Sequence, residues 1–190
     1  MGNFTFEKTK IDGVYVITPK AFGDERGYFM ETYSVKDFKE AGLSYNFVQD
    51  NQSSSKKGVL RGLHFQTGHT QAKLDRVLKG EVFDVAVDLR ENSPTYGQWV
   101  GERLSEENRK QLMIPRGFAH GFLVLSDTAE FAYKCDDFYH PEEEGGIIYD
   151  DKDIKIKWPA VDTEIILSKK DTKHPTLKEA NITFKKEENV

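Results

Sequence analysis

An all-β fold follows from three features of the chain. Short β-branched or aromatic runs recur along it, many of them partly alternate apolar with polar residues, and turn-forming residues punctuate them at close intervals. Closely spaced short strands with turns between them make a sandwich or a barrel. Taken in order, strands are predicted at VYVIT (14–18), GVLRGLHFQ (58–66), DRVLKG (75–80), EVFDVAVDLR (81–90), WVGERLS (99–105), QLMIP (111–115), HGFLVLS (120–126) and EFAYKC (130–135). The breaks fall at DERG, ENSP, PRG, HPEEEGG and DDKD. One helix is predicted over 34–42, SVKDFKEAG, where Ser34 can cap, Asp37 completes a capping-box spacing and Gly42 can end it. SEENRK (105–110) can form one more helical turn. No repeat or low-complexity linker divides the chain, so a single domain over 1–190 is expected, with a loose tail from about 176.

A chain of 190 residues can bury a sizeable core, and its 13 Phe, 8 Tyr and 2 Trp make that core aromatic-rich. Disordered chains are poor in such residues. The net charge of −5 argues against non-specific nucleic-acid binding, which needs a basic surface. A small anionic ligand remains compatible, because a few placed Arg and Lys suffice for one phosphate group. Cys135 is the sole cysteine, so no intrachain disulfide can form, and a lone thiol fits a reducing compartment. The N-terminus has no basic region followed by an apolar run, and no stretch approaches the roughly 20 apolar residues of a membrane span. Met1-Gly2 is similar to a myristoylation start, but Phe6 stands where Ser or Thr is needed. A soluble cytoplasmic protein is expected.

The chemistry-bearing residues gather in two stretches. GVLRGLHFQ carries Arg61 and His64, which a buried strand has little use for. Three residues apart in a regular strand, they face opposite sides. Gly62 lies between them, and a glycine inside a strand often marks a bulge that re-aims a side chain. Either both reach one cavity, or Arg61 is a rim residue and His64 a hydrogen-bonded core histidine. The second stretch, IPRGFAHGF (114–122), sets Pro115, Gly117 and His120 in the spacing P-x-G-x-x-H.

Together with Gly58, Gln66, Lys73 and Gly80, these stretches resemble the two motifs of the cupins, which form a jelly roll (double-stranded β-helix). A cupin-type jelly roll with a few short helices is therefore the expected fold. Cupins normally supply His-x-His and a Glu from the first motif and one more His from the second. Here Gln66 stands in place of the second His, and Lys73 near the place of the Glu. An ammonium cannot ligate a metal and repels a cation, so a barrel without metal is expected. A cation fixed beside a neutral histidine suits proton abstraction next to a carbonyl, with the ammonium stabilising the oxyanion. Tyr133 is a candidate second proton carrier, although alone it reads equally as a core-edge tyrosine.

Seven segments in matching order, DERGYFMETY, QDNQSSS, GVLRGLHFQ, KLDRVLKGEVFDVAVDLR, SPTYGQW, IPRGFAHGF and LSKKD, closely resemble the dTDP-4-dehydrorhamnose 3,5-epimerase family over about residues 10 to 175. The resemblance implies His64 as general base, Asp171 as its carboxylate partner, Tyr133 as general acid and Lys73 at the sugar's keto oxygen. It implies Arg61, Arg26 and Lys170 as cations around the diphosphate, since arginine's fork suits phosphate. Glu31, Gln49 and Asn51 match polar nucleotide contacts, and Phe29 an aromatic near the thymine. Glu144 matches another substrate-side position, with Glu142 and Glu143 as competing registers. His120 is expected to support His64, with Asp84 as the partner that orients it. The implied substrate is dTDP-4-dehydro-6-deoxy-D-glucose, inverted at C3 and C5 to dTDP-4-dehydro-L-rhamnose without a cofactor. The nearest alternative inverts one centre of a related dTDP-keto-deoxysugar. A homodimer with exchanged N-terminal strands is also implied.

Overall fold

The computed structural model describes residues 2–185, and two antiparallel sheets dominate it. β1 (Phe4–Lys8) and β2 (Tyr15–Pro19) form a hairpin. A second hairpin, β3 (Ala21–Asp24) with β4 (Gly27–Met30), pairs only with itself, and α1 (Val35–Glu40) follows. The body is β5 (Gln49–Lys56), β6 (Leu60–Gln66), β7 (Lys73–Lys79), β8 (Glu81–Asp88), β9 (Trp99–Ser105), β10 (Gln111–Ile114), β11 (Phe118–Val124) and β12 (Thr128–Cys135), with β13 (Glu144–Gly146) and α2 (Leu177–Ala180) added late. The larger sheet runs β1-β2-β10-β7-β12-β5 and the smaller β13-β6-β11-β8-β9, the all-β architecture expected.

Three apolar clusters explain the layering. Val77, Leu112 and Phe131 of the larger sheet meet Val82, Leu104 and Phe122 of the smaller one between the two. The outer face of the smaller sheet packs Leu63, Val85 and Ala119 against Ile147, Ile154, Leu177 and Phe184. Being covered on both faces, β11 is buried at every position, which is why its sequence does not alternate. On the larger sheet, Ile17, Leu74 and Met113 are covered by α1 through Phe38, whose ring meets Phe4, Phe6 and Tyr33 edge-on. The α1 cap is as expected: Ser34 is extended, its Oγ accepts from Asp37 N at 3.4 Å, and Gly42 follows at φ +82°.

Three expectations need correction. The predicted loose tail from about 176 is built into the fold as far as Phe184. Thr176 and Glu179 form a reciprocal capping box, while Leu177 and Phe184 are buried on the smaller sheet. An apolar sheet face left open would stay wet, and this segment closes it. Residues 186–190 of that tail lie outside the described residues, as does Met1 of the myristoylation-like start. Residues 105–110 form a turn rather than helix, because the Asn108 side chain takes the backbone amides of Ser105 and Lys110, and Arg109 adopts φ +55°. The predicted strand list is incomplete: β1, β3, β4, β5 and β13 fall outside it, β1 (FTFEK) being short with only two alternating apolar residues and β5 (QDNQSSSK) a polar edge strand. Among the described residues, no helix is long and apolar enough to cross a membrane.

Candidate active site

The site begins at an irregularity in β6. His64 pairs with His120 on β11 and Arg61 with Phe122, so three steps on β6 oppose two on β11. Gly62 supplies the extra residue at φ +131°, where a Cβ would lie 2.5 Å from Gly121 Cα and 2.9 Å from the His120 carbonyl. The bulge cancels the strand alternation, and Arg61 and His64 both line one cavity of about 260 Å³. Asn51, Lys73, His120 and Tyr133 line it too. Arg61 is steadied from across the gap by donating Nε and Nη2 to Ser55 Oγ at 3.1 and 3.0 Å.

Asp171 comes 107 residues later, in a 3-10 turn (Asp171–Lys173), and its Oδ1 lies 2.6 Å from His64 Nε2. Burial alone would raise the Asp171 carboxyl; its hydrogen bond to His64 and the charge of that ring outweigh this and hold it below the usual value. The ionised carboxylate accepts from Nε2–H, which orients the ring and leaves Nδ1 as the nitrogen that can exchange a proton with a ligand. His174 packs edge-on to His64 with centroids 5.6 Å apart, and its Nε2 is 3.4 Å from the same Asp171 oxygen.

On the opposite wall, Tyr133 of β12 stands in the larger sheet, and Lys73 Nζ lies 5.6 Å from its ring centroid. Burial pushes the Tyr133 phenol up to about 12, helped by Cys135 and Asp75, so it holds its proton at neutral pH. Between the walls, His120 Nε2 is 2.6 Å from Asp84 Oδ1, the orienting contact expected, and also 3.2 Å from Asp75 Oδ2.

The remaining expected residues divide into two groups. Asn51 lines the cavity, and Gln49 donates to it at 3.1 Å. Glu144 accepts from Tyr139 Oη and pairs with Lys170, both at 2.5 Å. Its neighbours turn elsewhere: Glu143 accepts from the His69 backbone, and Glu142 approaches His140. Arg26, Phe29 and Glu31 are not brought to the His64 cavity. Arg26 pairs with Asp24, Phe29 is 68% exposed, and Glu31 accepts from Asn3. Among the described residues, the hairpin that holds Arg26 and Phe29 pairs with neither main sheet.

Sequence reasoning gives no sign of His174, Asp75 or Tyr139. Tyr139 and Phe138 are exposed aromatics beside Glu144 and Gln49, and Tyr139 N donates to Gln49 Oε1 at 3.1 Å. An exposed aromatic pair in a turn segment is the one signal that could have pointed to them.

The ligand set of a metal-binding cupin does not assemble here. Gln66 spends its amide on backbone, donating to the His69 and Phe138 carbonyls and accepting from His140 N. Lys73 brings a cation where a ligand would stand. Among the described residues, three groups bring possible ligand atoms within 4.8 Å: His64–Asp171–His174, His69–His140–Glu143 and Asp75–Asp84–His120. The first is the dyad itself, and the third lies within the field of the Lys73 ammonium.

A jelly-roll sandwich with a carboxylate-oriented histidine on one wall, and a protonated phenol with an ammonium beside it on the other, defines a protein class: an acid–base enzyme acting beside a carbonyl. The comparisons agree. The family model described as dTDP-4-dehydrorhamnose 3,5-epimerase matches residues 8–179. A relative of that name from Methanothermobacter thermautotrophicus is 56% identical over 181 residues, covering 94% of this chain and 97% of its own. The crystal structure of dTDP-6-deoxy-D-glucose-3,5-epimerase from Legionella pneumophila, in complex with dTDP-4-keto-L-rhamnose, superposes with a TM-score of 0.93 at 51% identity, covering 97% of this chain and all of that one. A more distant structure, a 3'-monoepimerase from Streptomyces bikiniensis in complex with dTDP-quinovose, is 33% identical with a TM-score of 0.86, covering 92% and 89%. The chain belongs to the dTDP-4-dehydrorhamnose 3,5-epimerase family.

Proposed function

We propose that this chain inverts C3 and C5 of dTDP-4-dehydro-6-deoxy-D-glucose to give dTDP-4-dehydro-L-rhamnose. The observation that carries the reading is a base and an acid on opposite walls of one cavity, His64 with Asp171 and Tyr133, with Lys73 beside the phenol. The C4 ketone acidifies the C–H bonds on either side of it. His64 takes a proton, the bonding pair moves into an enolate, and Lys73 stabilises the charge on O4. Tyr133 returns a proton from the other face, which inverts the carbon. The deprotonation–reprotonation route moves no hydride, and the Lys73 ammonium takes the charge-stabilising role at O4.

Arg61 and Lys170 serve the diphosphate, and His120, Gln49, Asn51 and Glu144 the sugar and nucleotide. Arg26, Phe29 and Glu31 act on the nucleotide only if a second copy supplies them. The exposed Phe22, Tyr28 and Phe29 of their hairpin support a homodimer. Here β1 pairs with β2 of its own chain, so an exchange of N-terminal strands would replace that pairing with the partner's. The working compartment we propose is the cytoplasm, where a lone buried thiol stays reduced.

Incubation with the keto-sugar in heavy water, followed by NMR at C3 and C5, tests the activity. Deuterium with inversion at both carbons is the expected result. Exchange at one carbon alone would make the chain a single-centre epimerase, the activity named for the S. bikiniensis neighbour.

A further inference from the structure

The least explained group in the molecule is Asp75, on β7 beside the cavity-lining His120. It is fully buried, and neither of its carboxyl oxygens has a hydrogen-bond donor; Asp84 Oδ2 beside it also lacks one. A buried carboxylate without donors is among the costliest groups a core can hold, and two side by side repel. His120 Nε2 faces both carboxyls, at 2.6 Å from Asp84 and 3.2 Å from Asp75, yet has at most one proton to give. The cluster lacks a proton, and the second carboxyl is where it belongs.

We propose that Asp75 is a positioning residue for the reaction, a proton-bearing carboxyl that hydrogen-bonds Asp84 and, through it, holds His120 neutral with Nδ1 turned to the cavity. This rests on the epimerase reading given above. The groups facing Asp75 are Lys73 on its own strand, Asp84 on β8, His120 on β11 and, across the β7–β12 ladder, Tyr133 and Cys135. His64 on β6 acts on His120 from the far side. Burial drives both carboxyls up to about 8, while it drives His120 down to about 4. The hydrogen bond between the carboxyls raises Asp75 and lowers Asp84, so the shared proton stays on Asp75 at neutral pH. A neutral His120 adds no positive charge beside Lys73, whereas an imidazolium there would compete for the enolate oxygen. As Asp75 loses its proton near pH 8, its hydrogen bond to Asp84 is lost, two carboxylates face the one His120 Nε2 and the arrangement fails.

Two variants of the full chain test this. Asp75→Val removes the donor, so kcat should fall about tenfold or more with KM little changed, as for other outer partners of a site histidine. Asp75→Asn keeps an N–H donor and cannot ionise. It should restore most of the lost rate and hold its kcat to higher pH than the wild type. Infrared spectra of the wild type should also show a buried protonated carboxylic acid that titrates near pH 8, with a band that weakens or shifts in Asp75→Asn. A wild-type alkaline limb in Asp75→Asn, no buried carboxylic acid in the wild-type spectrum, or a stoichiometric metal ion in the purified protein would each overturn the proposal. The spectrum needs no variant, so misfolding of either one leaves the question decidable. A wild-type protein that does not exchange deuterium into the keto-sugar would sink the epimerase reading instead, while the infrared band would still report on the Asp75 proton.

Discussion

His64 and Tyr133 stand on facing sheets, so each can be removed while the other stays in place. In Tyr133→Phe the ring still packs and the cations are untouched, so nucleotide affinity, read by calorimetry with dTDP, should change little. His64 still draws a proton and Lys73 still holds the enolate, so deuterium should wash in with retention. Inversion should fall about 10²–10⁴-fold, the range for one general acid. His64→Ala should abolish exchange and inversion together. Wild-type inversion of both centres by Tyr133→Phe would reduce Tyr133 to a wall residue. His64 stood out in RGLHFQ, but the roles of Asp171 and Tyr133 were implied only by the family resemblance, since LSKKD and EFAYKC alone carry no signature. Asp75 was not legible, because DRVLKG reads as an ordinary strand until β8 and β11 are laid beside it.

At the scale of elements, two segments decide whether the site exists. Gly62 holds the β6 bulge, and its missing Cβ is what lets β11 approach. Gly62→Ala combines overlap with backbone and a positive φ, so it should cost about 1–3 kcal/mol, seen as a lower denaturant midpoint, and it should cut activity by pulling Arg61 and His64 apart. Unchanged stability would mean the bulge needs no glycine. The segment around α2 acts differently, by covering the smaller sheet from outside. Phe184 packs edge-on against Phe65 with centroids 5.5 Å apart, and Phe184→Ala should cost about 3–5 kcal/mol. A loss under about 1 kcal/mol would return the segment to the status of a loose tail. The segment around Phe184 carries no periodic signal, since one short helix and a few separated apolar residues do not make a pattern.

For the whole molecule, the buried cluster sets a pH dependence of stability. Asp75 and Asp84 ionise near 8 when folded but near 3.8 when unfolded, so between those values the folded chain binds more protons and loses stability as pH rises. His120 works in the opposite direction between its folded value of about 4 and the ordinary 6.5, where stability rises with pH. The two effects partly cancel below about 6.5 and only the loss remains above it, so the melting temperature should drop most steeply from about pH 6.5 to 8. A melting temperature that climbs across that interval would show that both carboxyls are ionised in the folded protein.

Strand positions, the α1 cap and the two histidine motifs were set by neighbours along the chain. Turn residues, a Ser34 oxygen three residues from its amide, and short aromatic runs act over distances the sequence displays directly. The His64–Asp171 pair was read only by resemblance, because 107 residues separate its members and no local rule joins them. The tertiary structure alone decided that β11 is covered on both faces, that Glu144 rather than its neighbours meets Lys170, and that Arg26, Phe29 and Glu31 stand apart from the cavity. It also placed two carboxyls on one imidazole nitrogen. Each of those outcomes depends on which strands hydrogen-bond side by side, and non-local pairing of that kind leaves no trace in the spacing of residues along a single strand.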